Sequence, residues 1–113
     1  MPKPLVTSIP LAELPEGSMR MCPVEGREIL VCRTKDGIFA VDNICTHAYA
    51  RLNEGRLRGT RLICPLHGAS FDVREGRVLA PPATRALATY AVEVVGDRVE
   101  VTVPPGEAKT LSM

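Results

Sequence analysis

The chain reads as an all-β sandwich of short antiparallel strands, with a small subdomain inserted between two strand groups. Three observations predict this. Apolar and polar residues alternate in stretches such as Arg98 to Val103, where Val99, Val101 and Val103 share one face and Glu100 and Thr102 the other. Turn sequences such as Glu25-Gly26-Arg27, Lys35-Asp36-Gly37 and Gly96-Asp97 separate these stretches at short intervals. The apolar content comes from Val, Leu, Ile and Ala with two Phe, two Tyr and no Trp, which suits short strands better than long helices.

Taken in order, Leu11-Ala12-Glu13-Leu14 follows Ser8 and Pro10 and is stopped by Pro15-Glu16-Gly17, so it predicts one short helical turn with a cap at its start. Nothing else looks helical. Met19 to Val24, Glu28 to Thr34 and Ile38 to Val41 predict a meander, and Tyr90 to Val95 with Arg98 to Val103 predict a later hairpin. Between these groups, Arg61-Leu62-Ile63 predicts a strand leading into Cys64, and Ala69 to Val73 another leaving the loop that follows. Arg58-Gly59-Thr60 and Arg74-Glu75-Gly76 supply turns.

A length of 113 residues predicts one domain, able to bury a single core without disulfide staples. Its expected parts are a base of residues 1–42 and 79–104, an inserted subdomain of residues 43–78, and a flexible tail over 105–113. The formal net charge of +1 gives no argument for nucleic acid or membrane as a partner. Charge is uneven, however. Residues 44–78 hold six arginines (Arg51, Arg56, Arg58, Arg61, Arg74, Arg77) against Glu54, Asp72 and Glu75, which reads either as solvated turn residues or as a basic rim that steers an acidic partner. The start, Met1-Pro2-Lys3-Pro4-Leu5-Val6, shows no export signal or membrane anchor, so a cytoplasmic location is expected. In that reducing compartment a disulfide between Cys22 and Cys32 is not expected. Cys32, within Ile29-Leu30-Val31-Cys32, reads as buried core, and Cys22 as a residue without chemistry.

The ligand-type residues are concentrated elsewhere. Cys45-Thr46-His47 and Cys64-Pro65-Leu66-His67 hold both histidines of the chain and two of its four cysteines, with sixteen residues between the two motifs. Two thiolates and two imidazoles suit either tetrahedral zinc or an iron-sulfur centre. The spacing favours the second, because each short loop offers one sulfur and one nitrogen where zinc fingers usually open with two cysteines gripping one ion.

This C-x-H and C-x-x-H pair resembles the Rieske family, whose [2Fe-2S] cluster is held by two Cys and two His. The resemblance extends through Leu52-Asn53-Glu54-Gly55, Gly68, Phe71-Asp72-Val73 and Ala80-Pro81-Pro82-Ala83, and is to the soluble Rieske ferredoxins of bacterial ring-hydroxylating dioxygenases. It implies a Rieske-type antiparallel β-sandwich in which residues 43–78 form the cluster-binding subdomain. It also implies that Cys45 and Cys64 bind the inner iron and His47 and His67 the outer one. By the same resemblance the chain is a one-electron carrier and not itself an enzyme. Its implied partners are a flavin-dependent NAD(P)H reductase and a terminal Rieske oxygenase. Pro81-Pro82 then corresponds to a loop shielding a third side of the cluster, or else is a rigid inter-strand connection; Tyr49 and Leu66, which flank the histidines, read either as a small apolar docking surface or as plain packing.

High-potential members of the family carry a disulfide between the loops and Ser and Tyr hydroxyls donating to the cluster. Here Ala50 and Leu66 stand at the disulfide positions, and Ala69 and Phe71 at the hydroxyl positions. Backbone amides around Cys45 to Ala50 and Pro65 to Ser70 must then supply the donors, and the expected potential lies near the lower end of the Rieske range, about −150 mV. Rival readings are a Rieske small subunit of a nitrite reductase, a feeder of another oxygenase, and a structural zinc domain.

Overall fold

The computed structural model describes residues 4–46, 50–66 and 68–104, so His47, Ala48, Tyr49, His67 and the expected tail over 105–113 lie outside the described residues. Ten strands are described: β1 (Leu5–Pro10), β2 (Met19–Val24), β3 (Arg27–Thr34), β4 (Gly37–Asp42), β5 (Arg56–Arg58), β6 (Arg61–Ile63), β7 (Ser70–Asp72), β8 (Arg77–Ala80), β9 (Thr89–Val95) and β10 (Arg98–Val103). They form two antiparallel sheets, one of six strands in the order β1-β10-β9-β4-β3-β2 and one of four in the order β5-β6-β7-β8. The edge strands β1 and β2 approach each other, so the larger sheet curls toward a closed barrel. Both edges carry a proline, Pro10 and Pro23, at positions where a missing N–H removes little from the ladder.

Strand β3 explains the position of the core. Ile29, Leu30, Val31 and Cys32 are all fully buried, although neighbours along a strand point to opposite faces. Ile29 and Val31 pack inside the curl with Ile9, Leu14, Cys22, Val99, Val101 and Val103. Leu30 and Cys32 pack on the other face, against Leu62, Phe71 and Val73 of the small sheet and its flanks. The continuous apolar run is thus the signature of a strand sandwiched on both sides. Each fully buried Leu or Phe at this junction contributes about 1.5–3 kcal/mol.

The same alternation separates two cysteines. Cys22 belongs to the core inside the curl and Cys32 to the core facing the small sheet, and both are free thiols, as expected. The predicted helical turn is a three-residue 3-10 turn, Leu11–Glu13, with Pro10 at its start and no side-chain cap. Ser8 does not serve as a cap because it lies in β1, where its hydroxyl accepts a hydrogen bond from Arg98 Nε at 2.6 Å. A second 3-10 turn, Leu52–Glu54, and the strands β1, β5 and β8 were not among the expected elements. Among the described residues, no helix is long and apolar enough to cross a membrane.

Candidate metal centre

The loop bearing Cys64 is the tip of a β-hairpin. Strands β6 and β7 pair with Leu62 opposite Phe71 and Ile63 opposite Ser70, and the Cys64 N–H then donates to the Ala69 carbonyl at 2.8 Å. Gly68 stands at φ +76, a left-handed backbone that side chains rarely adopt, and reverses the chain beside position 67. Gly55 secures the same loop from the side. A Cβ there would sit 1.9 Å from the Ile63 carbonyl oxygen and 3.2 Å from Pro65 Cδ, so only glycine lets the turn after Glu54 approach the strand that delivers Cys64.

The loop bearing Cys45 is closed in the same way at its tip, with the Cys45 N–H donating to the Ala50 carbonyl at 2.8 Å. Among the described residues, its two sides are joined as an isolated bridge, Ile44 opposite Arg51. The Leu52 N–H donates to the Asn43 carbonyl at 2.6 Å, and the fully buried Leu52 side chain anchors the exit.

These two tips bring Cys45 and Cys64 together. Both are buried, in one apolar cluster with Leu52, Leu62, Ala69 and Phe71, and the two thiols are close enough to act on each other's ionisation. Burial pushes the Cys64 thiol up from its ordinary value; the Leu66 N–H opposes this, and the neighbouring Cys45 adds to it. That N–H points at Cys64 Sγ from 3.4 Å, a backbone donor of the kind expected for the second loop. Cys32 has no such arrangement, and burial pushes its thiol to about 12. Two soft sulfurs, adjacent and shielded from water with an amide aimed at one of them, fit one half of the ligand set of a [2Fe-2S] cluster. The predicted nitrogen ligands His47 and His67 lie outside the described residues, and among the described residues no three or more metal-binding side chains come together.

A third loop, between β8 and β9, leans on this site. The Thr46 hydroxyl donates to the Arg85 carbonyl at 2.7 Å, Ala83 and Leu87 are buried in the cluster that holds both cysteines, and the Leu87 N–H donates to the Gly76 carbonyl at 2.8 Å. Its Pro81-Pro82 bond is cis. At the two positions that carry hydroxyl donors in high-potential Rieske proteins, Ala69 and Phe71 are fully buried and carry none, and the nearby Ser70 hydroxyl accepts from Arg61 Nη1 at 2.6 Å. Leu66, at 44% exposure, is the large apolar residue left open on the second loop, whereas Tyr49 lies outside the described residues.

The six arginines divide into two groups. Arg51 makes a two-pronged contact with Glu28, Arg74 and Arg77 both engage the buried carboxylate of Asp72, and Arg61 is bound to Ser70. Arg56 and Arg58 are exposed and have no ion pair among the described residues. Asn43 and Gly55, which hold the loops, were not picked out as structural supports by their own sequence signal. Gly55 is not in a positive-φ turn, and an asparagine carries no mark of being buried.

The Rieske [2Fe-2S] domain profile matches residues 5–91. The chain belongs to the Rieske family. This Rieske domain is 41% identical over 96 residues to the ferredoxin component of a naphthalene 1,2-dioxygenase system from Pseudomonas aeruginosa, covering 85% of this chain and 92% of that one. Its fold superimposes on the ferredoxin of carbazole 1,9a-dioxygenase from Nocardioides aromaticivorans IC177 with a TM-score of 0.82 and 32% identity, over 92% of this chain and all of that one. A similar match is to a chain in a complex of reduced oxygenase and oxidised ferredoxin of carbazole 1,9a-dioxygenase, with a TM-score of 0.81 and 32% identity over 85% of this chain and 91% of the other. The Rieske-type all-β fold and a Rieske [2Fe-2S] cofactor follow from this membership.

Proposed function

We propose that this Rieske domain is the ferredoxin of an aromatic-ring dioxygenase system, a cytoplasmic one-electron carrier. It receives electrons from an NAD(P)H-dependent flavin reductase and passes them to a terminal ring-hydroxylating oxygenase. The observation that carries this reading is the buried pair of Cys45 and Cys64 at two identically closed loop tips, in a chain whose relatives are named ferredoxin components. Cys45 and Cys64 are the sulfur ligands in this reading and His47 and His67 the nitrogen ligands, with residues 43–78 as the cluster-binding part on a base of 1–42 and 79–104. When bound, the cluster supplies reversible uptake of one electron.

The chain's own part is to shape that exchange. Burial of both sulfurs keeps water away, and the Leu66 N–H favours negative charge on Cys64 Sγ. With no hydroxyl at positions 69 and 71, the potential falls near the lower end of the Rieske range, about −150 mV. The exposed Leu66 offers an apolar contact at the tip, and Arg56 and Arg58, exposed and without an ion pair among the described residues, favour a partner with an acidic surface.

The test is anaerobic reconstitution followed by EPR of the reduced protein. The wild type and the Cys22→Ser and Cys32→Ser variants show the low-average-g signal of mixed nitrogen and sulfur ligation, and His47→Ala, His67→Ala, Cys45→Ala and Cys64→Ala lose it. Loss of the signal in Cys22→Ser, or its survival in His67→Ala, overturns the ligand set. Turnover with a reductase and oxygenase of the naphthalene type then checks the employment of the carrier.

A further inference from the structure

We propose that Asn43 is the positioning residue of the first ligand loop, its side chain taking the place of the strand ladder that this loop lacks. The proposal rests on the reading of Cys45 and His47 as ligands. The second loop has its feet in two paired strands, β6 and β7. The first leaves β4 at Asp42 and returns into a 3-10 turn, with one isolated bridge between its sides. Asn43 stands at its foot, two residues before Cys45, and is fully buried.

Every polar group of Asn43 is used. Its main-chain N–H donates to the Glu28 carbonyl at 2.9 Å, and its carbonyl accepts the Leu52 N–H. In the side chain, Nδ2 donates to Glu28 Oε1 at 3.0 Å and to Asn53 Oδ1 at 2.7 Å, while Oδ1 accepts the Asn53 N–H at 2.8 Å. The carboxamide's orientation follows from its partners, because a backbone N–H only donates and a carboxylate only accepts. One side chain therefore joins the outgoing strand of the loop, its returning strand, and β3 of the large sheet. Arg51 closes the outer side of the same knot by donating from Nε and Nη2 to Glu28.

No other residue type does this at the same length. Aspartate has no donors and would set a second carboxylate beside Glu28. An aliphatic residue would take this partner from the Asn53 N–H and from Asn53 Oδ1 and leave Glu28 Oε1 to Arg51 alone, which is costly. Loss of the knot frees residues 44–53 to shift while Cys45 stays bonded to Ala50, so the whole tip moves relative to Cys64.

The experiment compares reconstituted wild-type protein with Asn43→Ala, Asn43→Asp and Val101→Ala. The last truncates a buried residue of the other core and serves as a destabilised control. Four readouts are taken: the EPR g-values of the reduced protein, the midpoint potential, the rate of bleaching in EDTA, and hydrogen exchange of the Cys45, Leu52 and Asn53 amides in the cluster-free protein. Both Asn43 variants should shift the g-values and potential, bleach at least tenfold faster and lose protection at those amides. Val101→Ala should lower Tm with wild-type values of all four. Should Asn43→Ala not fold, Asn53→Ala, which removes a single acceptor, carries the test with smaller shifts in the same direction. Asn43 or Asn53 variants that lose Tm but keep the wild-type spectrum, potential and bleaching rate overturn the inference alone. Wild-type protein without the signal overturns the ligand reading and this inference with it.

Discussion

The two cysteine-bearing loops end in the same bond, from a cysteine N–H to the carbonyl of an alanine five residues on, yet they are supported in different ways. The Cys64 loop inherits its geometry from a strand pair, so its feet are fixed by repeated main-chain hydrogen bonds that depend little on side-chain identity. The Cys45 loop has one bridge, and side chains do the rest: Asn43, Asn53, Glu28 and Arg51 form a polar knot and Leu52 an apolar plug. The difference teaches that a hairpin-borne ligand should tolerate most side-chain changes but no intrusion on its backbone. A knot-borne ligand should show the reverse.

The comparison breaks most sharply at Gly55. Gly55→Ala drives a methyl group into the Ile63 carbonyl, and the expected loss is about 3 kcal/mol, read in thermal melts together with loss of the Cys64-dependent signal. Acid gives the next effect. Hydrogen bonds from Arg51 and then Asn43 hold the Glu28 carboxyl below its ordinary value, and Arg74 above all does the same for Asp72. Because these folded-state values are depressed, their stabilisation is complete above the ordinary carboxylate range and is lost as pH falls through the lower folded values. Tm should therefore fall below about pH 4, and Glu28→Gln should flatten that decline while loosening the first loop only.

A smaller effect is expected at Gly68. An alanine there meets no atom within 4 Å, so the loss is confined to backbone strain, about 1–2 kcal/mol by denaturant titration. Arg51→Ala should be milder still. Its guanidinium is largely in water, so Tm should drop slightly at low salt and hardly at all at high salt, with the EPR signal intact. In the carrier reading, Arg56→Glu with Arg58→Glu leaves Tm and the signal unchanged but slows reduction by a reductase at low ionic strength, a difference that salt removes.

Strands with two-sided or alternating apolar patterns were legible from the sequence, with β2, β6 and β10 matching to the residue. The three that escaped, β1, β5 and β8, are all edge strands. An edge strand needs a partner on one side only and little apolar pattern of its own. Arg56-Leu57-Arg58 becomes a strand because β6 lies beside it, and nothing within those three residues says so. The helical turn formed without its expected side-chain cap for a related reason, since Ser8 was already engaged in a strand pairing with a segment ninety residues away.

The sequence by itself pointed to the kind of centre, because the sulfur- and nitrogen-bearing residue types and their separation within each short loop are local properties of the chain. Tertiary structure decided how the cysteines are disposed in space. Cys22 and Cys32 sit on neighbouring strands but on opposite faces of one sheet, while Cys45 and Cys64, on separate loops, are pressed together by the packing of two sheets. Spacing along a chain governs what a loop can reach, whereas contact between loops depends on a core, a buried asparagine and a glycine whose partners lie in other segments of the chain.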